Sequence, residues 1–436
     1  MSRPMPTTKA QVSGHKFLQR RVEHGLVLGD IRMIHDPLAS RRRALIFGII
    51  AVSFLAIGSG MLAWLQPNPN PGDAPIVRSQ QGQLFVLVNE SYHPVSNLAS
   101  ARLIAGEPAA PQAMGNEFLS NARLGTPLGI ADAPDYLADP ATPAQGWAAC
   151  YAAAADEDKE NPTTIDGEGS RPGETVVLAN AKVEHLRSAE AALVSTGGKE
   201  WLLTSAGRVE LPSAASTQGR VLRRGIGVRD DSYVWQIPED LLNAYAELPP
   251  LRFPEQTPQI LDTGDDLWVR VGAGDEQGVA SITPTQAEML AGMGASRESV
   301  DGAEVAALSD AALPFNLPAN SYDFLSPGRG WLCADERGGT VFSPAVEATV
   351  SIAGKATADR FAGLEAGGVG IDSGHGFHVV SATGIRHSVA QGALVEALGT
   401  TTQAKVPWEI LRLLPEGSPL DRESALASQG GDEGTE

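Results

Sequence analysis

The densest group of reactive side chains in this 436-residue chain is Gly374-His375-Gly376-Phe377-His378. Two histidines three apart on a glycine-rich turn can approach one metal ion, but a zinc site takes at least three protein ligands. No further ligand at suitable spacing completes the set, so both histidines are expected on a solvent-exposed loop. Asp372 and Ser373 stand beside His375, yet a nucleophilic serine needs a strained elbow and partners brought from separate elements. Contiguous residues do not supply that. A phosphate-binding loop requires Gly-x4-Gly-Lys-Ser/Thr ahead of a helix. Gly198-Lys199 is followed by Glu200 and Gly354-Lys355 by Ala356. Gly272-Ala273-Gly274 with Gly278 follows a strand but misses the dinucleotide spacing, and reads as a loop. No catalytic constellation, cofactor site or metal site is expected.

Two cysteines remain, Cys150 and Cys333. What they do depends on the compartment, which the N-terminal region sets. The run Ala44 to Leu65 carries no charge over 22 residues. At ~1.5 Å per residue such a helix reaches roughly 33 Å, enough for a ~30 Å hydrocarbon core. Residues 1–43 hold nine Lys/Arg against Glu23, Asp30 and Asp36, with Arg41-Arg42-Arg43 at the edge of the run. The twenty residues after Leu65 contain only Arg78 as a base. The positive-inside rule places the N-terminus in the cytoplasm and the rest outside. A cleaved signal has a short basic head and an apolar core of ~7–15 residues, so an uncleaved anchor is expected, with Trp64 at its outer interface.

The part beyond the anchor has 24 basic and 49 acidic residues. Such an excess of negative charge argues against nucleic acid and anionic lipid as its partners. In an oxidising exterior an isolated cysteine pair reads as a disulfide. Closing so long a loop constrains the unfolded chain by roughly 5 kcal/mol on the entropy argument. Trp147 and Trp331 near the two cysteines point to packed surroundings.

The expected class is α+β: a cytoplasmic helical segment, a single transmembrane helix, and an extracytoplasmic domain of four strand-strand-helix quasi-repeats around a central β-rich domain. The segment 1–43 precedes the anchor 44–65, and a Pro-rich spacer covers 66–79. The first repeat spans 80–130: Leu84 to Val88, a second strand, a cap at Ser96/Asn97, and a helix ending at Gly106. The third, 260–309, has Leu267 to Val271, a capping box of Thr283 and Gln286, Pro284 at the first helical position, and Gly292 as the stop. The fourth, 365–420, has GVGID, FHVVS, a cap at Ser388 with Gln391 three residues on, and a stop at Gly399. The second, 186–250, is looser: ALVST, EWLLTSAG and a helix past Ser213. Units this small cannot each bury a core and should pack in pairs. Residues 131–185 and 310–360 each hold one cysteine and should meet as the central domain. Residues 421–436 form an acidic tail whose composition predicts disorder.

Before the anchor, Phe17, Val22 and Leu26, flanked by Lys16, Arg20 and Arg21, approximate one helical face. That pattern suits membrane-surface association or docking of a partner helix. The strings TTKAQVSGHKFLQRRVEHGLV…DIRMIHDPL, QLFVLVNESYHPVSNLASARLIAGEP and VPWEILRLLPEGSPLDRESAL together resemble the EccB family, a membrane core subunit of the actinobacterial type VII (ESX) secretion system. The resemblance implies four repeats around a central domain braced by a disulfide at Cys150 and Cys333. It implies a structural role joining a multi-span channel protein and an FtsK/SpoIIIE-type motor ATPase in the inner membrane, with dimerisation of the outer part. Under it, Phe17, Arg20, Arg21, Val22, His24, Arg32 and Met33 become candidates for cytoplasmic partner docking. Two other functions stay open: ATPase activity, attributed to the family but without a phosphate loop here, and peptidoglycan binding.

Overall fold

The computed structural model describes residues 8–29, 37–65, 69–141, 144–153, 173–272, 277–347 and 349–427. Two units emerge, Met1–Pro69 and Asn70–Glu436. In the first, Lys9–Leu28 is a helix whose start is fixed reciprocally: Thr8 Oγ1 accepts from the Gln11 N–H while the Gln11 side chain accepts from the Thr8 N–H. Such a capping box satisfies two otherwise orphaned donors, and a cap contributes about 1 kcal/mol. Gly29 closes the helix in the left-handed region. The second helix, Pro37–Leu65, contains a stretch, Arg41–Leu62, that is apolar and long enough to cross a membrane, and none of it is buried. The side chain of Trp64 lies outside the described residues, as do Arg32, Met33 and the acidic tail from 428 on.

The second unit is α+β with five sheets, four of them on one plan. In the first sheet Ile76–Ser79, Leu84–Val88 and Ser91–Val95 form an antiparallel meander. Helix Leu98–Ala105 then returns the chain to Gln112–Met114, parallel to the first strand. A short helix, Asn116–Asn121, brings Leu124 and Leu128 to bridge the third strand. The second sheet repeats this order with Glu190–Thr196, Lys199–Thr204, Gly207–Glu210, helix Thr217–Gly225, Val234–Gln236 and helix Glu239–Leu242. The third has Ile260–Asp262, Leu267–Val271, Gly278–Ile282, helix Pro284–Gly292, Arg297–Ser299, helix Gly302–Ala306 and Ser309–Asp310. The fourth has Val369–Asp372, Phe377–Val380, Arg386–Val389, helix Gly392–Ala397, Ala404–Lys405 and helix Trp408–Leu411.

Three sequence expectations are corrected here. Each sheet has a three-stranded meander before its helix, not two strands. LFVLV and LWVRV are second strands, and Ile76–Ser79 lies within the stretch expected to be spacer. Ser388 is in a strand; the helix after it starts at Gly392, with Gln391 at the capping position but making no side-chain cap. Gly292 is the last helical residue of Pro284–Gly292 rather than its stop, and the chain turns left-handed only at Gly294. Asn97 caps its helix through Ser100, Gly106 ends it, and Thr283 with Gln286 and Pro284 open theirs as expected.

The fifth sheet has seven strands in the order Val350–Ser351, Arg360–Ala362, Glu174–Leu178, Ala148–Ala152, Trp331–Asp335, Thr340–Ser343, Glu184–His185. Parts of 310–360 go elsewhere: Ser309–Asp310 joins the third sheet and Asp323–Phe324 pairs with the first strand of the second. The cores follow strand alternation. Ala191 and Leu193 face a core shared with Ile260, Val269 and Ala280 of the third sheet, whereas Ala192 and Val194 face the central sheet. Val379 and Val389 join Ile76, Val86 and Leu103 of the first sheet, whereas Ile371 and Val380 face the centre. The second and fourth sheets are thus buried on both faces, which is why their first strands, Glu190–Thr196 and Val369–Asp372, carry apolar residues at successive positions. At ~25 cal/mol per Å² of apolar surface removed from water, these shared cores are the main cohesive term.

Candidate functional site

The leading helix presents Phe17 and Val22 more than half exposed, with Leu18 and Leu26 also bare. Arg20 and Arg21 are exposed beside them. His24, grouped with them in the sequence reading, is buried instead, so it does not belong to that open face. Six apolar side chains exposed on one 20-residue helix exceed what a solvated helix carries without a partner or a lipid surface.

In the second unit Cys150 and Cys333 are direct cross-strand partners in the central sheet and are disulfide-bonded. Both are fully buried. Trp331, two residues from Cys333, shares its face, but Trp147, three residues from Cys150, lies on the opposite face against Phe361. An odd spacing on a strand reverses the side, so the packed surroundings expected of the cysteines are met on both faces of the sheet. The bond joins segments 183 residues apart and no other function for the sulfurs is available at that depth.

The histidines of Gly374-His375-Gly376-Phe377-His378 part company. His375 sits on the exposed turn, where its N–H donates to Ser373 Oγ. His378, expected in solvent, is buried in a strand and stacks on Trp408 at 5.6 Å between ring centroids. The Arg386 guanidinium covers the same indole at 4.7 Å and pairs with Glu416 at 3.5 Å. Burial, with Arg386 adding to it, holds the His378 imidazole below its ordinary range. His387, completely buried, donates from Nδ1 to the Ser418 carbonyl at 2.8 Å, and the Ser418 N–H donates to Asp132 at 2.8 Å. Burial likewise lowers His387. No sequence signal marked His387, Trp408 or Asp132 as one cluster, because Trp408 returns from a later helix and Asp132 from a segment more than two hundred residues earlier.

In the second sheet the equivalent third-strand arginine, Arg208, lies over Trp201 at 5.2 Å and pairs with Glu247 at 3.7 Å. Nearby, Glu190 is buried between two arginines: Arg187 donates from its backbone and guanidinium, and Arg329 Nη1 approaches to 2.6 Å. The hydrogen bonds from Arg187 hold this carboxyl down at about 2. Among the described residues no three His, Cys, Asp or Glu side chains gather in a way that could hold a metal. The arrangement is one of clasps and packed faces, suited to holding surfaces in place.

The chain is 28% identical over 463 aligned positions to the Mycobacterium tuberculosis protein named ESX-1 secretion system ATPase EccB1, covering 96% of this chain and 94% of the relative. It is 29% identical to the Mycolicibacterium smegmatis protein of that name, over 96% and 95% of the two chains. Among solved structures, a chain of an intact ESX-5 inner membrane complex matches with a TM-score of 0.65 at 21% identity, covering 100% of this chain and 98% of that one. A chain of the EccB3 dimer from the ESX-3 core complex matches with a TM-score of 0.63 at 22% identity, over 82% and 100%. The family described as "Type VII secretion system ESX-1, transport TM domain B" matches residues 5–308 and 295–431, nearly the whole length, and the chain belongs to that family.

Proposed function

We propose that this protein is a structural core subunit of a type VII (ESX) secretion complex in the inner membrane, scaffolding channel and motor subunits and shaping the periplasmic side. The observation that carries this reading is the family match across the anchor and the folded unit together, on a chain whose buried polar groups are clasps. The four sheets of one strand order act as quasi-repeats around the central sheet, with the Cys150–Cys333 disulfide as brace. The apolar helix spans the membrane with the N-terminus in the cytoplasm and the acidic unit outside, as the Arg41-Arg42-Arg43 edge dictates. The face of Phe17, Arg20, Arg21 and Val22, with Arg32 and Met33 but without the buried His24, docks a cytoplasmic partner, an FtsK/SpoIIIE-type ATPase or a multi-span channel protein. The folded unit associates with a second copy.

The test is deletion of residues 8–35. The variant should reach the membrane and keep its folded unit, yet no longer co-purify with the motor and channel subunits. Full co-purification would overturn the docking assignment. A second reading, ATP hydrolysis, is favoured by the names of the mycobacterial relatives. It requires turnover above background by the purified chain that a single substitution abolishes. A third, peptidoglycan contact, requires that the chain pellet with purified peptidoglycan at low salt.

A further inference from the structure

The segment after the last strand of the fourth sheet works as a strap. The Gly417 N–H donates to the Arg386 carbonyl at 2.9 Å and the Leu420 N–H to the Ser388 carbonyl at 2.9 Å, so the segment runs along the Arg386–Val389 strand. It then places Leu420 and Ala425, both fully buried, in the core shared with the first sheet. Helix Arg422–Leu426 ends it, packed on helix Leu98–Ala105. Whatever loosens the strap from that strand therefore loosens the first sheet from the fourth.

One side chain sits at the point of attachment. Because a carbonyl only accepts, the 2.8 Å contact requires the His387 proton to be on Nδ1, donating to Ser418 O. Nε2 is then a bare acceptor, sealed from solvent and without a hydrogen-bond partner. The ring leaves no room to adjust: a Cβ added at Gly417 would come within 2.5 Å of His387 Cε1. The charged and titratable groups around it come from every neighbouring element. Arg386 is on its own strand, His378 on the adjacent strand, Glu416 and the Ser418 backbone on the strap, and Asp132 on the segment that follows the first sheet. Asp132 already accepts the Ser418 N–H, and Glu416 already pairs with Arg386.

We propose that His387 is an acid-sensitive latch: neutral, it clamps the strap through Ser418, and protonated at its sealed Nε2 it releases the strap from the fourth sheet. A proton added there makes a fully buried cation beside Arg386; the Asp132 carboxylate, already engaged by the Ser418 N–H, offsets this only in part, and a poorly paired buried charge is costly. Burial lowers the folded imidazole below its ordinary value near 6.5. The sign follows: the unfolded ring takes up protons first, so the clasp is at full strength above that value and is lost as pH falls beneath it. Release would bare the apolar patch of Leu420, Ala425, Leu103 and Ile104, where the first and fourth sheets meet.

The test is hydrogen exchange on the full chain in detergent micelles at pH 7.5 and 5.0, with rates expressed as protection factors. The Gly417, Leu420 and Ala425 amides should lose protection tenfold or more at pH 5.0, the amount that one pH unit below a titration delivers. The Val177 and Leu332 amides of the central sheet should not. His387→Asn, whose amide can donate to the same carbonyl but takes up no proton, should remove the difference between the two pH values. His378→Gln should leave it intact. Strap protection that is equal at the two pH values, an acid loss undiminished in H387N, or its disappearance in H378Q would each overturn the latch.

Discussion

The second and fourth sheets have the same strand order, are both buried on two faces, and both set a third-strand arginine over a tryptophan and against a glutamate. Their buried polar groups are nonetheless of opposite kinds. The second buries a charge, Glu190, and surrounds it with Arg187 and Arg329. The fourth buries two imidazoles, His378 and His387, next to the Arg386 guanidinium, and no carboxylate. A paired carboxylate keeps its charge down to about pH 2, whereas an imidazole held below its ordinary range by burial stands to gain one as the pH falls beneath that range. One architecture is therefore insensitive to mild acid in its second sheet and sensitive in its fourth, although both pack on the same face of the central sheet.

The comparison assumes that the central sheet holds both sheets equally, and the disulfide is the strongest means of breaking that. Replacing Cys150 and Cys333 together by alanine frees a loop of 183 residues in the unfolded chain. The expected loss is roughly 5 kcal/mol on the entropy argument, read as a lower denaturation midpoint at constant slope. If only one of the two lost exchange protection, they would not be sharing one support.

Next in size is Glu190→Gln. It removes charge-assisted bonds to two arginines and should cost roughly 2 kcal/mol at neutral pH. The folded-state value of the carboxyl is depressed, so its contribution is complete above its ordinary 4.5 and fades as pH falls toward 2. Wild type and variant should thus differ above pH 5 and converge in strong acid. A difference that persisted unchanged at pH 2 would show that Glu190 acts by shape and not by charge.

Much of this plan is readable from residue order, but unevenly. Leu84–Val88 and Leu267–Val271 announce themselves as strands by composition, and Thr283 with Gln286 announces a helix start. Ile76–Ser79, Gly207–Glu210 and Arg386–Val389 do not, because four residues of which two or three are polar carry no period; pairing with a neighbouring strand makes them strands. The glycines around His375 suggested a loop for His378 too. It is buried because Trp408, thirty positions on, returns to stack against it. Phe17, Val22 and the arginines between them were legible as a surface, since an amphipathic face is a local pattern. The clasps at Arg208 and Arg386 were not, since each joins residues that only the strand order brings together.

Those two arginines offer a finer comparison. Replacing either by lysine keeps the charge facing Glu247 or Glu416 but gives up the planar group over the indole. A loss of about 1 kcal/mol is expected at each site, measured by urea denaturation. Equal losses would mean that the two sheets use one device. A larger loss at Arg386, which is the more deeply buried of the two, would mean that the fourth sheet relies on it more.

The smallest expected effect raises stability. The first hairpin of the second sheet turns through Gly197-Gly198, both left-handed, as a tight two-residue turn requires. The fourth sheet turns instead through the longer Ser373–Gly376 loop, held by Ser373 Oγ donating to the Gly376 carbonyl at 2.9 Å. The first sheet, the fourth's partner, has a two-residue turn in its second hairpin with an unfavourable second residue: Asn89 and Glu90 are both left-handed, at φ 47° and 63°. Asparagine tolerates that region, while a glutamate Cβ is crowded there. Arg123 approaches Glu90 to 3.8 Å across open solvent, where such a pair contributes little. Glu90→Gly should therefore raise stability by about 0.5–1 kcal/mol despite the more flexible unfolded chain, seen as a higher urea midpoint. A fall would mean that the exposed ion pair outweighs backbone strain at this turn.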